Sequence, residues 1–96
     1  MAHFVVEYAD LGLDAAREAG RADHIGYRRG LGPKLALAGP LLAPDGKPTG
    51  SLVIFEAEDE AAAEATANAD PYVAAGVLRL VSVRRYRIAA MVPPAP

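Results

Sequence analysis

The 96-residue chain has no cysteine, hardly any net charge and no long apolar run. Without cysteine there can be no disulfide, no thiolate-ligated metal and no cysteine nucleophile. The longest apolar stretch, "LALAGPLLAP", is short and broken by Gly39 and Pro40, so no membrane span is expected. The N-terminus lacks the basic region and apolar run of a secretion signal, and a cytoplasmic protein is the expectation. The net charge of −2 argues against nucleic-acid binding, which draws its affinity from many Lys and Arg contacts to phosphate. The one basic cluster, Arg84, Arg85 and Arg87, is expected on a solvated or edge strand.

What is present describes a single globular domain. Hydrophobic residues make up 52% and charged residues 23%, and a chain of this length supports one core. The expected division is one domain over 1–88 and a Pro/Ala-rich tail over 89–96. "HFVVEY" (3–8) is β-branched and aromatic, which predicts a strand. From Leu13 the period changes, and Ala16, Gly20, His24, Tyr27 and Leu31 recur at three- and four-residue steps along one helical face. "GLGPK" stops that helix. "LALAG" (35–39) and "SLVIFEA" (51–57) read as two strands joined by the turn-rich "PDGKPTG". Glu58, Asp59 and Glu60 place negative charge at the start of an alanine-rich helix running to Ala69. "VLRLVSVRRY" (77–86) is the last strand.

This order, βαββαβ, is that of an α+β, ferredoxin-like domain with both helices on one face of a four-stranded antiparallel sheet. The other face is then a problem, because alternation puts Leu52 and Ile54 on one side and Val53 and Phe55 on the other. Leaving either set in water forgoes about 1.5–3 kcal/mol per side chain. The expected cover is the same face of a second copy, giving a homodimer across the open sheet face. Val53, Phe55, Val81 and Val83, or their alternates, would line it.

Few residues carry candidate chemistry. His3 lies near the terminus, so His24 is the interior imidazole; it serves either as a satisfied structural residue or as a proton-transfer group. In "ANADPYVAAG", Pro71 forces Asp70 to be extended. Asp70 could cap a following turn with Pro71 in the first helical position, or it could orient an imidazole as the acid of a catalytic triad does. Arg17 and Arg21, seven and three residues before His24, neighbour it on the helix, either as surface charges or as holders of an acidic ligand group. Ser51 opens a strand after Gly50 and reads as a turn residue or a pocket hydroxyl. One interior His with one carboxylate is too small a set for a closed metal site, and no cofactor motif is present.

These segments resemble the YCII-related domain family. The resemblance is carried by the two arginines leading to a histidine in "REAGRADHIGYRRGL", the Gly-Pro after the second strand, the Gly-Ser opening the third, and the Asp-Pro-Tyr after the second helix. It runs from about His3 to Tyr86. One departure is the Arg-Arg-Tyr ending the last strand, where many members carry Pro-Trp or a similar aromatic. The resemblance implies a dimeric α+β barrel, with His24 and Asp70 as the active pair. Arg17, Arg21, Ser51 and Tyr72 would line a substrate pocket. The resemblance stops short of a substrate, although one relative is associated with dehydrochlorination of a chlorinated hydroxyquinone. Without a thiol or cofactor motif, one imidazole and one carboxylate suit proton transfer, and the expected function is a cofactor-independent enzyme of lyase, isomerase or dehalogenating type acting on a small anionic or aromatic molecule. The alternative is a non-catalytic ligand-binding or dimerisation module. A pocket in which His24, Asp70 and an arginine converge would favour the enzyme.

Overall fold

In the computed structural model, which describes residues 1–94, four strands and two main helices follow in the anticipated order. They are β1 (Ala2–Asp10), α1 (Asp14–Gly30), β2 (Leu35–Leu42), β3 (Pro48–Ala57), α2 (Glu60–Asn68) and β4 (Leu78–Tyr86), with one extra turn of helix, α3 (Pro71–Ala74), before β4. The sheet order is β2-β3-β1-β4 with every neighbouring pair antiparallel. This is the ferredoxin-like α+β topology. Residues 89–94 of the expected tail have no regular structure, and Ala95 and Pro96 lie outside the described residues.

Local chemistry explains each boundary. Asp59 caps α2 by accepting from the Ala62 N–H at 2.8 Å, so the helix begins at Glu60, the last residue of the acidic run, rather than at its start. β2 and β3 are each longer than "LALAG" and "SLVIFEA" suggest. Pro40 continues β2 because that strand is at the sheet edge, where a missing N–H need not break a ladder. The connection shrinks to a tight turn, closed by the Ala43 N–H donating to Lys47 at 2.8 Å with Gly46 at φ +88°. Gly50 has no room for a side chain: a Cβ there would fall 2.3 Å from the Tyr8 carbonyl oxygen. The glycine of the Gly-Ser pair, which lies inside β3 rather than at its start, is therefore a packing requirement of the β1–β3 pair.

The core lies between the helices and one sheet face. It comprises Phe4, Val6 and Tyr8 of β1, Val53 and Phe55 of β3, Ala63 and Ala67 of α2, and Tyr72, Val77 and Leu78. The choice of side chains left open for the uncovered face is resolved here. Val53 and Phe55, each 2% exposed, belong to the helix-covered side, and their alternates Leu52 and Ile54 face away from it. Val83 also moves. A one-residue register shift between Glu7 and Tyr8 pairs Tyr8 with Leu80 and Val6 with Val83, so Leu80 and Val83 both pack against the core. Simple alternation places them on opposite faces, and the bulge cancels one step of it. Arg84 and Arg85 are exposed on β4, which is an edge strand.

On the far face the register aligns Leu37 with Ile54, Ile54 with Val5, Gly39 with Leu52 and Leu52 with Glu7. Leu37 and Leu41 remain 43% and 36% exposed. An apolar patch centred on β2 and β3 is thus uncovered by this chain.

Candidate active site

α1 carries most of the site. None of its residues is fully buried, yet its inward face is tied down through polar side chains. Tyr27 donates its hydroxyl to the Thr66 carbonyl at the end of α2. From α3, Tyr72 donates to the Arg17 carbonyl at 3.0 Å. The helical face anticipated from Ala16, Gly20, His24 and Tyr27 is the one that meets the rest of the protein. Ala16 packs on the core, and a Cβ on Gly20 would already touch the Tyr72 ring at 3.4 Å.

Asp70 answers both of its readings at once. It is extended, at φ −60° and ψ 124°, with Pro71 in the first position of α3. Its Oδ1 accepts from the Tyr72 N–H at 3.0 Å, which is the cap. The same Oδ1 lies 2.8 Å from His24 Nδ1. An ionised carboxylate only accepts, so Nδ1 carries the proton and donates. Asp70 is 1% exposed and is the only buried charged residue among those described. The imidazole is further fixed by stacking on the Tyr72 ring, with centroids 4.0 Å apart and planes 9° from parallel. Nε2 is left without a partner among the described residues.

Around this pair is a cavity of about 440 Å³, within the usual range for small-molecule sites. Arg17, Arg21, His24, Ser51 and Tyr72 all line it, while Asp70 stands behind the imidazole. The contributions differ from those the residue types suggest. Arg17 is paired with Asp10, so much of its charge is already answered, and its guanidinium carbon sits 5.6 Å from the Tyr72 ring centroid. Arg21 is exposed and has no ion pair among the described residues. Tyr72 offers its ring, since its hydroxyl is spent on the Arg17 carbonyl. Ser51 Oγ is 3.4 Å from the Gly39 carbonyl oxygen, a long contact that leaves the hydroxyl free to turn.

Arg28 also lines the cavity, and its Nη2 is 3.6 Å from Asp70 Oδ2. Sequence reasoning missed it by following the arginines only up to His24. The signal was there: Arg17, Arg21, His24 and Arg28 step by four, three and four, the spacing of one helical stripe. Behind the site, burial pushes the Tyr27 phenol up to about 12, with the Asp70 charge adding to the shift. Burial raises the Tyr8 phenol further still, helped by Tyr27 and Asp70. Both stay protonated as donors, Tyr8 to the Ala67 carbonyl at 2.7 Å and Tyr27 to that of Thr66. They hold the end of α2 from which Asp70 projects. Among the described residues no group of three or more His, Asp or Glu is placed to hold a metal ion, and no helix is long and apolar enough to cross a membrane.

Comparison with known proteins gives this geometry a family. The Protein YciI sequences of Escherichia coli O6:H1 and Shigella flexneri are each 48% identical over 60 residues, a match covering 56% of this chain and 61% of theirs. A solved structure of 5-chloro-2-hydroxyhydroquinone dehydrochlorinase from Burkholderia phenoliruptrix AC1100, in complex with 2,5-dihydroxybenzoquinone, superposes with a TM-score of 0.74. It is 28% identical, with 91% of this chain and 94% of that one covered. The YCII-related domain pattern matches residues 1–87, nearly the whole chain, and the protein belongs to that family.

Proposed function

We propose that the protein is a small cofactor-independent enzyme that uses His24 as general base on a ring-sized anionic or aromatic molecule, with Asp70 as its orienting acid. The observation that carries this reading is the His24 Nδ1 to Asp70 Oδ1 contact of 2.8 Å beside a cavity that His24 lines. With its proton held on Nδ1, the neutral imidazole presents a lone pair on Nε2. The buried Asp70 charge stabilises the imidazolium once a proton has been taken. The cavity is large enough for a substituted six-membered ring and too small for a macromolecule.

For an elimination, Nε2 removes a proton from a ring carbon or its hydroxyl. The electron pair moves into the ring, and a leaving group such as chloride departs with its bonding electrons. The imidazolium then returns its proton to water. Tyr72 stacks on the imidazole and limits its rotation, and Ser51 can turn its hydroxyl toward a ligand oxygen. The dehydrochlorinase likeness supports a quinonoid or hydroquinone ligand class.

The active form in this proposal is a homodimer through the open sheet face, where exposed Leu37 and Leu41 beside half-buried Leu52 leave an apolar patch. Stable dimers bury such surfaces against a second copy. The decisive experiment incubates the purified protein with chlorinated hydroquinones and follows chloride release and quinone absorbance. Turnover abolished by His24→Gln supports the enzyme. Binding of these compounds without chloride release, equal in wild type and His24→Gln, would sink it in favour of the non-catalytic module.

A further inference from the structure

Arg28 occupies a position unlike that of the other cations around the cavity. Its side chain is only 15% exposed. Nε and Nη2 are both buried without a hydrogen-bond partner, as is Asp70 Oδ2. The 3.6 Å between Nη2 and Oδ2 is an ion-pair distance beyond hydrogen-bond reach. Nη1 is neither buried nor bonded to a described residue, and Arg28 lines the cavity. The guanidinium therefore backs onto Asp70 through Nη2, with its other terminal nitrogen unburied on a side chain that lines the cavity.

A buried guanidinium whose donors are unmatched is costly, and an oxyanion is the group that matches its fork. Arg17 has Asp10 for a partner, whereas Arg21 is exposed, where solvent and salt weaken its pull. Arg28 alone combines low exposure, unmatched donors and access to the cavity. Asp70 ties it to the base as well, with Oδ1 on His24 and Oδ2 facing Arg28. One carboxylate thus sets the spacing between a proton acceptor and an anion holder.

We infer that Arg28 is the specificity-determining residue of the cavity, holding an ionised oxygen substituent of the ligand and selecting such ligands over neutral ones of the same shape. This rests on the ring-sized ligand proposed above. As a proton leaves the ring for His24, negative charge grows on the conjugated oxygen, and Arg28 is the donor placed to stabilise it.

Two probes of nearly the same shape test this by calorimetry: 2,5-dihydroxybenzoquinone, which is ionised at neutral pH, and its neutral dimethyl ether. Wild type should prefer the ionised probe by at least about 10-fold, the scale of a charge-assisted hydrogen bond. Arg28→Gln should weaken the ionised probe by about 10- to 100-fold and leave the ether within about 3-fold. Arg28→Lys should recover part of the loss, restoring charge without the fork. Arg84→Gln, on the exposed edge strand away from the cavity, should change neither affinity by more than about 3-fold at 0.15 M salt. Retained preference in a folded Arg28→Gln protein overturns the inference, as does full wild-type preference in Arg28→Lys should the glutamine variant fail to fold. A wild type that binds both probes equally refutes the role of Arg28 alone, whereas one that binds neither refutes the ligand class as well.

Discussion

The two long helices pack on the same sheet by opposite means. α2 buries Ala63 and Ala67 completely and lies close because alanine leaves nothing in the way. α1 buries no residue fully, and the rest of the protein holds it through Tyr27, Tyr72 and the His24–Asp70 pair. A helix fastened by polar side chains keeps chemical groups at its inner face, because a gap remains between it and the sheet. That gap is the cavity. The helix with the tighter packing has no room for a site, and the helix with the site relies on hydrogen bonds to stay in place.

The comparison can be broken most severely at Asp70, which serves both the cap and the α1 tether. Asp70→Ala should cost about 3–5 kcal/mol, because it leaves the Arg28 charge buried without its counterion. Urea denaturation measures this, and a loss under 1 kcal/mol would mean that α1 does not depend on the pair. Asp70→Asn separates the two duties. Asn caps about as well as Asp yet removes the same counterion, so Asp70→Asn should lose nearly as much stability as Asp70→Ala, less only the roughly 1 kcal/mol of the cap, while nitrogen-15 NMR of the His24 ring should show a changed Nδ1 resonance.

On the α2 side, Ala67→Leu should destabilise by about 1–3 kcal/mol through overpacking. The same enlargement on the outer face of α1, such as Ala22→Leu, should change the unfolding midpoint little. Equal losses at both positions would erase the contrast between the helices.

Tyr27→Phe sharpens it at smaller amplitude, removing one α1 tether worth about 0.5–1.5 kcal/mol. Its pH dependence has a definite sign. The Tyr27 phenol rises from 10.0 to about 12 in the fold, so folding favours the neutral form. That stabilisation is whole below pH 10 and is lost as pH rises from 10 through 12. Tyr8 moves in the same direction. Wild type should therefore lose stability above pH 10, and Tyr27→Phe should lose less over the same range. A flat wild-type profile to pH 12 contradicts the burial of both phenols. The smallest stability effect belongs to Leu37→Glu, which lies on the uncovered sheet face. It should leave the monomer fold intact and shift the sedimentation coefficient of the proposed homodimer to that of a monomer, whereas a wild type that already sediments as a monomer would remove the dimer from the proposal.

The element order, the helical stripe and the Asp-Pro cap were legible in the sequence because each depends on residues close in the chain. Period 3.6, proline geometry and capping act within about one turn. The ends of β2 and β3 were less legible, since Pro40 reads as a stop until its strand is known to lie at the sheet edge. Arg28 was within reach of the same helical spacing that singled out Arg17 and Arg21.

What the sequence determined by itself is the α+β order, the lack of thiol chemistry, and the presence of one interior imidazole and one Asp-Pro carboxylate. Tertiary structure alone decided three matters. The bulge at Glu7 and Tyr8 set which face receives Val83, because register depends on the partner strand. The pairing of Arg17 with Asp10 answered one of the candidate charges that line the cavity. The approach of Asp70 to His24 and Arg28 across 46 and 42 residues of chain joined base, orienting acid and cation. Contacts at such separations follow from how the helices pack on the sheet, and no local propensity encodes them.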